Sequence, residues 1–244
     1  MGEAIRFLTL IPLPGLPPMS VERIGRATAW FPLVGLLVAG VGVAIGWPAG
    51  ALWGADVRAV AVVTAWAVVT AGLHLDGLAD TFDGLLSWRP REQKLEIMRD
   101  SRIGTMGAIA LFAILALKVA LLASADGAWL VAALVAPVLG RWADVVAIFA
   151  FPPAREGGLG RTFRETSGRT APLVAGVTAA AVAGLGAGAS GIVALVVVTG
   201  IALGLGAWWV RSLGGLTGDT YGAASEMGEV VALAVLTASL GVSA

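Results

Sequence analysis

Cysteine is absent from the 244 residues, which excludes disulfides and thiolate metal sites alike. Charge is scarce: Asp, Glu, Lys and Arg make up 13% of the chain, against about 25% in a soluble globular domain. With 58% hydrophobic residues and a mean hydropathy of +0.89, the chain has too few polar groups to cover itself in water, and lipid is the expected solvent. Net charge is lacking too, with 16 basic against 16 acidic residues, so the electrostatic footprint of a nucleic-acid binder is missing. A signal peptide's unbroken apolar core is also missing, because Pro12, Pro14, Pro17 and Pro18 interrupt the N-terminal stretch. Targeting is expected to come from the spans themselves.

What is present is a series of apolar runs. At about 20 residues per crossing, seven spans are predicted at about 27–46, 58–75, 104–124, 128–150, 170–188, 191–210 and 229–243. The chain reads as one all-α integral membrane domain over 1–244, a polytopic helix bundle with connecting segments at about 76–103, 151–169 and 211–228. Glycines such as Gly184, Gly186, Gly200 and Gly204 fit close helix packing. Basic residues set the sidedness. Arg6, Arg23 and Arg26 precede the first span, and Arg89, Arg91, Lys94, Arg99 and Arg102 separate the second from the third. Arg155, Arg161, Arg164 and Arg169 follow the fourth, and Arg211 follows the sixth, whereas the opposite loops carry only Asp56, Arg58 and Asp126. Alternating spans put all the basic segments on one side, which the positive-inside rule makes cytoplasmic, N-terminus included.

The chemistry-bearing residues fall on that side. In His74-Leu75-Asp76-Gly77-Leu78-Ala79-Asp80-Thr81-Phe82-Asp83-Gly84, Asp76, Asp80 and Asp83 follow an i, i+4, i+7 spacing and lie within about 60° of one another on a helix. Three carboxylates on one stripe repel each other, and a divalent cation with oxygen ligands (Mg²⁺, Mn²⁺ or Ca²⁺) removes that cost. The competing reading is a solvated acidic face, which the apolar neighbours Leu75, Leu78, Ala79, Phe82 and Leu85 oppose. His74 points about 160° away from the stripe, which suits a supporting role behind the ligands. A second stripe, Asp219 and Glu226, is seven residues apart on one face, with Glu229 about 80° aside as a cap or solvent-facing group. Between the stripes, Arg99-Asp100-Ser101-Arg102-Ile103-Gly104 opens the third span: Asp100 or Ser101 is placed to cap it, and Arg99 and Arg102 either favour an anion there or anchor the topology. Deeper in the spans lie Lys118, read as extending a phosphate site or snorkelling, and Arg141 with Asp144, read as an i, i+3 ion pair.

These residues resemble the adenosylcobinamide-GDP ribazoletransferase, or cobalamin synthase, family. The resemblance rests on His74 to Gly84 and on Ile97 to Gly104. It extends to Phe7-Leu8-Thr9 with Ile11-Pro12, Phe31 to Gly35, Lys118, Gly157 to Gly160 after Arg155, and Gly218-Asp219-Thr220 with Gly222-Ala223 and Glu226. It implies a Mg²⁺-dependent enzyme of a bacterial or archaeal cell membrane, its active site facing the cytoplasm. Such an enzyme joins adenosylcobinamide-GDP to α-ribazole, or to its 5′-phosphate, and releases GMP; an oligomer is compatible with it. On that basis Asp76, Asp80, Asp83, Asp219 and Glu226 are expected to hold metal. Arg99, Arg102 and Lys118 are expected to hold phosphate, with Asp83 or Asp80 accepting the hydroxyl proton.

Two other readings stand beside this one. CDP-alcohol phosphotransferases share the chemistry, but their motif places Asp-Gly three residues after its first Asp and continues into Ala-Arg. Here Asp76-Gly77 precedes Asp80 and no Ala-Arg follows. A cation transporter would carry its carboxylates near the midplane with an internal repeat, whereas these stripes sit at span ends and no repeat is evident.

Overall fold

The computed structural model describes residues 1–15, 17–18, 20–155 and 158–241; Gly157 and the last two residues of the seventh predicted span lie outside them. Among the described residues the helices are α1 (Gly2–Leu8), α2 (Val21–Ala27), α3 (Phe31–Trp53), α4 (Ala55–Val69), α5 (Leu73–Leu85), α6 (Arg91–Ile97), α7 (Thr105–Ala123), α8 (Trp129–Ala150), α9 (Leu159–Thr166), α10 (Ala171–Leu213) and α11 (Gly218–Gly241). Five of them, α3, α7, α8, α10 and α11, are long and apolar enough to cross a membrane, and α4 with α5 adds a sixth if that bent pair counts as one span. The fold is an all-α bundle around α8, against which α3, α10 and α11 pack.

α10 joins the fifth and sixth predicted spans. Its 43 residues would form a rod of about 65 Å, twice the hydrocarbon thickness. It does not run straight. Gly188, at φ 56° and ψ −135°, takes a conformation open mainly to glycine, and the chain turns back there. Gly191 comes against the Ala183 carbonyl and Gly184 against Ile192. Both arms meet the same α8 side chain: Gly176 lies against the Trp142 ring, and Trp142 Nε1 donates to Thr199 Oγ1 at 2.9 Å.

Two boundaries differ from the sequence reading. α4 stops at Val69, and positive φ at Ala71 (53°) and Gly72 (67°) starts α5 at 87° to α4. α5 therefore turns sharply away from the direction of α4, and much of the 76–103 connection is helical. α11 begins at Gly218 rather than near 229, because Glu226 and Glu229 find partners inside the bundle and do not need a polar loop.

The same face is tied together by short links. Ala154 N donates to Leu216 O and Leu216 N to Pro152 O, both at 2.8 Å, pairing the segment after α8 with the one before α11. Gly215 lies directly against the Pro153 backbone in this bridge. Gly214, at φ 75°, ends α10 in the left-handed conformation common at helix C-termini. Arg91 of α6 covers that end, its Nε donating to Leu213 O at 2.6 Å and its Nη2 to Ala154 O at 3.1 Å.

Candidate active site

α5 and α11 cross at glycines. Gly77 lies against the backbone of Asp219, and Gly222 against that of His74, so the two helices touch backbone to backbone. This crossing brings the acidic edge of α5 beside the first turn of α11. Thr217 opens α11: its N donates to Thr220 Oγ1 at 2.9 Å, and its hydroxyl accepts from Thr220 N at 3.3 Å, a reciprocal cap. The cap holds Asp219 at the positive end of the helix dipole.

Asp80 is the centre of the acidic group. Its pKa is pushed up from 3.8 to about 7, chiefly by burial and then by the charges of Asp76, Asp219 and Asp83. Beyond Asp219 stands Arg155, carried there by the Pro153–Leu216 bridge; burial and then the neighbouring Arg99 charge push its pKa down, while Asp219 opposes them. Arg155 Nη2 donates to Leu95 O at 2.6 Å. A cavity of about 180 Å³ opens here between Arg155, Gly158, Gly160, Thr217, Gly218 and Asp219. Two mutually repelling guanidinium groups beside repelling carboxylates form a surface that a metal-bound anion would neutralise from both sides. Arg155 lies on neither acidic stripe, and its proximity to the glycines at 157–160 is the only signal of it in the chain.

The other predicted residues divide. Asp83 has a second role, as a cap. Its Oδ2 accepts from Gly104 N at 2.7 Å and its Oδ1 from Gly107 N at 2.8 Å. It caps α7 from another helix, where Asp100 or Ser101 had been expected to do so. Gly104 and Gly107 both pack directly on its carboxylate. Asp83→Ala should cost about 1–2 kcal/mol of stability, read as a lower unfolding midpoint in detergent; an unchanged midpoint would contradict the cap. Arg102 is not at the cluster. Its side chain is 87% exposed and its Nη2 pairs with Asp100 Oδ2 at 2.5 Å, a contact that holds the Asp100 carboxyl down at about 2.

Glu226 and Lys118 pair with each other away from the acidic group. Lys118 Nζ lies 2.5 Å from both Glu226 Oε2 and Glu229 Oε2, and Arg141 Nη1 donates to Glu229 Oε1. Glu229, read from sequence as a cap or solvent-facing group, is thus fully engaged inside. The expected Arg141–Asp144 pair has a histidine in the middle: Arg141 Nη2 is 3.4 Å from His74 Nδ1, and His74 Nε2 is 3.4 Å from Asp144 Oδ2. His74 is buried and faces this network, away from the stripe as its spacing indicated.

The carboxylates of Asp76, Asp80 and Asp219 are hard oxygen donors, the type that Mg²⁺ takes, and the charges of Asp76, Asp219 and Asp83 add to burial in raising the Asp80 pKa. As placed they are spread wider than one coordination shell: no three His, Asp or Glu side chains among the described residues stand close enough to hold an ion.

The family model of cobalamin-5-phosphate synthases matches residues 2–237. The adenosylcobinamide-GDP ribazoletransferase of Roseiflexus sp. (strain RS-1) is 59% identical over 245 residues, covering 98% of this chain and 89% of the relative. The protein of the same name from Herpetosiphon aurantiacus is 50% identical, covering 98% and 96%, and that from Desulforamulus reducens is 39% identical, covering 92% and 90%. No solved structure matches. With the match spanning nearly the whole chain, and the α5 and α11 acidic groups inside it, the chain belongs to the cobalamin-5-phosphate synthase family.

Proposed function

We propose that this protein joins adenosylcobinamide-GDP to α-ribazole, or to its 5′-phosphate, and releases GMP, in a Mg²⁺-dependent reaction at the α5–α11 crossing. The observation that carries the reading is the meeting of Asp76, Asp80 and Asp219 with Arg99 and Arg155 on one face of the bundle. In the reaction a ribose hydroxyl attacks the phosphorus nearer the cobinamide. A new P–O bond forms, the bridging P–O bond breaks, and GMP leaves with its electron pair. Asp80, at about 7, stands where a general base for neutral pH should stand, and it accepts the hydroxyl proton. Arg99 and Arg155 hold the leaving phosphate. Asp76 and Asp219 are the cation's principal holders, with Asp83 positioning α7 beside them. Mg²⁺, when bound, supplies neutralisation of the charge on the diphosphate oxygens. Glu226 and Lys118 are left to each other.

The site is assigned to the cytoplasmic face of a bacterial inner membrane, with the N-terminus on the same side. Support comes from the basic segments, which all gather at the end of the bundle that holds α5, α6 and α9. Taking α4 as one crossing and the two arms of α10 as two more gives seven.

GMP release by protein in liposomes, with both substrates, should stop on chelation and return with Mg²⁺. No release in the presence of Mg²⁺ and both substrates would overturn the reading; release from a CDP-alcohol donor instead would favour the rival transferase class. A pH effect accompanies it. The folded, metal-free protein retains a proton on Asp80 that the unfolded chain has lost between pH 3.8 and about 7, so its stability should fall as pH rises through that window. Added Mg²⁺ should therefore raise the unfolding midpoint more at about pH 8 than at about pH 5. Equal shifts at both pH values would count against Asp80 as part of the cation's surroundings.

A further inference from the structure

Behind the acidic group lies a space that the phosphoryl chemistry leaves unused. A cavity of about 120 Å³ lies between α1, α3, α5, α8, α9 and α11, with Asp76 and Asp219 in its lining. At about 10–15 Å³ for each water-sized site, this is room for on the order of ten heavy atoms, the size of a bicyclic ring. Its walls are aromatic. Phe7 and Phe31 stack at 6.2 Å and 13°, and Phe163 stands edge-on to both, at 5.7 and 5.8 Å. Three helices that are far apart in sequence thus supply one ring cluster, in the edge and offset geometries that aromatic groups prefer.

Two side chains in this lining each carry an oxygen with no hydrogen-bond partner. The Tyr221 hydroxyl is buried in a residue 5% exposed and makes no hydrogen bond. Asp144 is 2% exposed; its Oδ2 faces His74 Nε2 at 3.4 Å, and its Oδ1 accepts no hydrogen bond. Buried groups of this kind are normally satisfied, and those that are not call for an explanation. One is a donor and the other an acceptor.

We propose that this cavity is the subsite for the acceptor nucleoside, taking its heteroaromatic bicyclic base against the phenyl rings. The chemistry is complementary. A base whose ring nitrogen can only accept suits the Tyr221 hydroxyl, and a ribose hydroxyl that can donate suits Asp144. The guanine of the other substrate is a poor match, since its several N–H donors and acceptors would face mostly apolar wall. Asp76 and Asp219 belong to both this lining and the acidic group, so a nucleoside held here would lie beside the diphosphate. The proposal rests on the transferase reading above.

The test separates the two substrates. GMP release is measured for wild type, Tyr221→Phe and Phe163→Leu while each substrate is varied in turn. The KM for α-ribazole should rise about five- to tenfold in each variant, the scale of one lost hydrogen bond or aromatic contact, with the KM for the GDP-linked substrate unchanged within about twofold. Both KM values unchanged, or a rise in the donor KM instead, would overturn the subsite. If Phe163→Leu yields no folded protein, Tyr221→Phe decides by the same split. Wild-type protein that releases no GMP would remove the transferase reading and this subsite with it, whereas active wild type with unmoved variants removes the subsite alone.

Discussion

Asp80→Asn should lower GMP release at least about a hundredfold, the scale on which a positioned general base contributes, while leaving the metal-free protein no less stable than wild type. The two halves of this expectation have one cause. Asp80 sits among Asp76, Asp83 and Asp219 with part of its surface withdrawn from water, so its charge opposes folding when no cation is present. Asparagine keeps the shape and removes the charge. It also removes the group proposed to accept the proton, so stability and activity should move apart. Turnover in single-turnover assays, with unfolding measured in chelator, checks both. Turnover within about threefold of wild type would sink the role; a large loss of stability would mean that Asp80 makes contacts beyond the charge cluster.

Lys118→Met should cost about 3–5 kcal/mol, the usual penalty for removing one member of a buried ion group. Methionine fills much of the lysine stem, so the loss is one of charge more than of volume. Glu226 and Glu229, 5% and 2% exposed, would keep only Arg141 as a neighbouring cation, inside a bundle where an unpaired carboxylate is costly. The unfolding midpoint in detergent should fall accordingly, or folded protein should fail to accumulate. The outcome also separates two readings of Lys118. A lysine on the diphosphate would raise the donor KM on substitution and leave the midpoint in place; that result would return Lys118 to the substrate site.

Much of the site could be read from the chain because it is local. Asp76 and Asp80 are a turn apart on one helix. The all-α bundle and the family are equally legible, since hydropathy and a long motif both survive without coordinates. What escaped is long-range or axial. Glu226 shares a helical face with Asp219, but seven residues are also about 10 Å along the axis, enough to carry it from the rim into the interior. Hydropathy missed the start of α11 for a related reason: Glu226 and Glu229 depress the local average, and their partners on α7 and α8 are invisible to it. Asp83 capping α7 joins residues 21 and 24 positions apart, which no helical periodicity encodes. Arg155 reaches Asp219 only through the bridge between Pro153 and Leu216.

α7 has few buried side chains, with 22% of its most apolar stretch enclosed, so most of its circumference is left uncovered by the rest of the chain. Among the described residues its polar attachments to the rest of the protein are Asp83, bonded to Gly104 N and Gly107 N at its start, and Lys118 eleven residues after Gly107. It is in effect a wall panel hung from two pins, one set in the acidic group and the other in the interior ion network. Under the proposed function, whatever surrounds the outer side of α7 touches a helix whose end is fastened to the acidic group, so a push on the panel would be felt at the carboxylates.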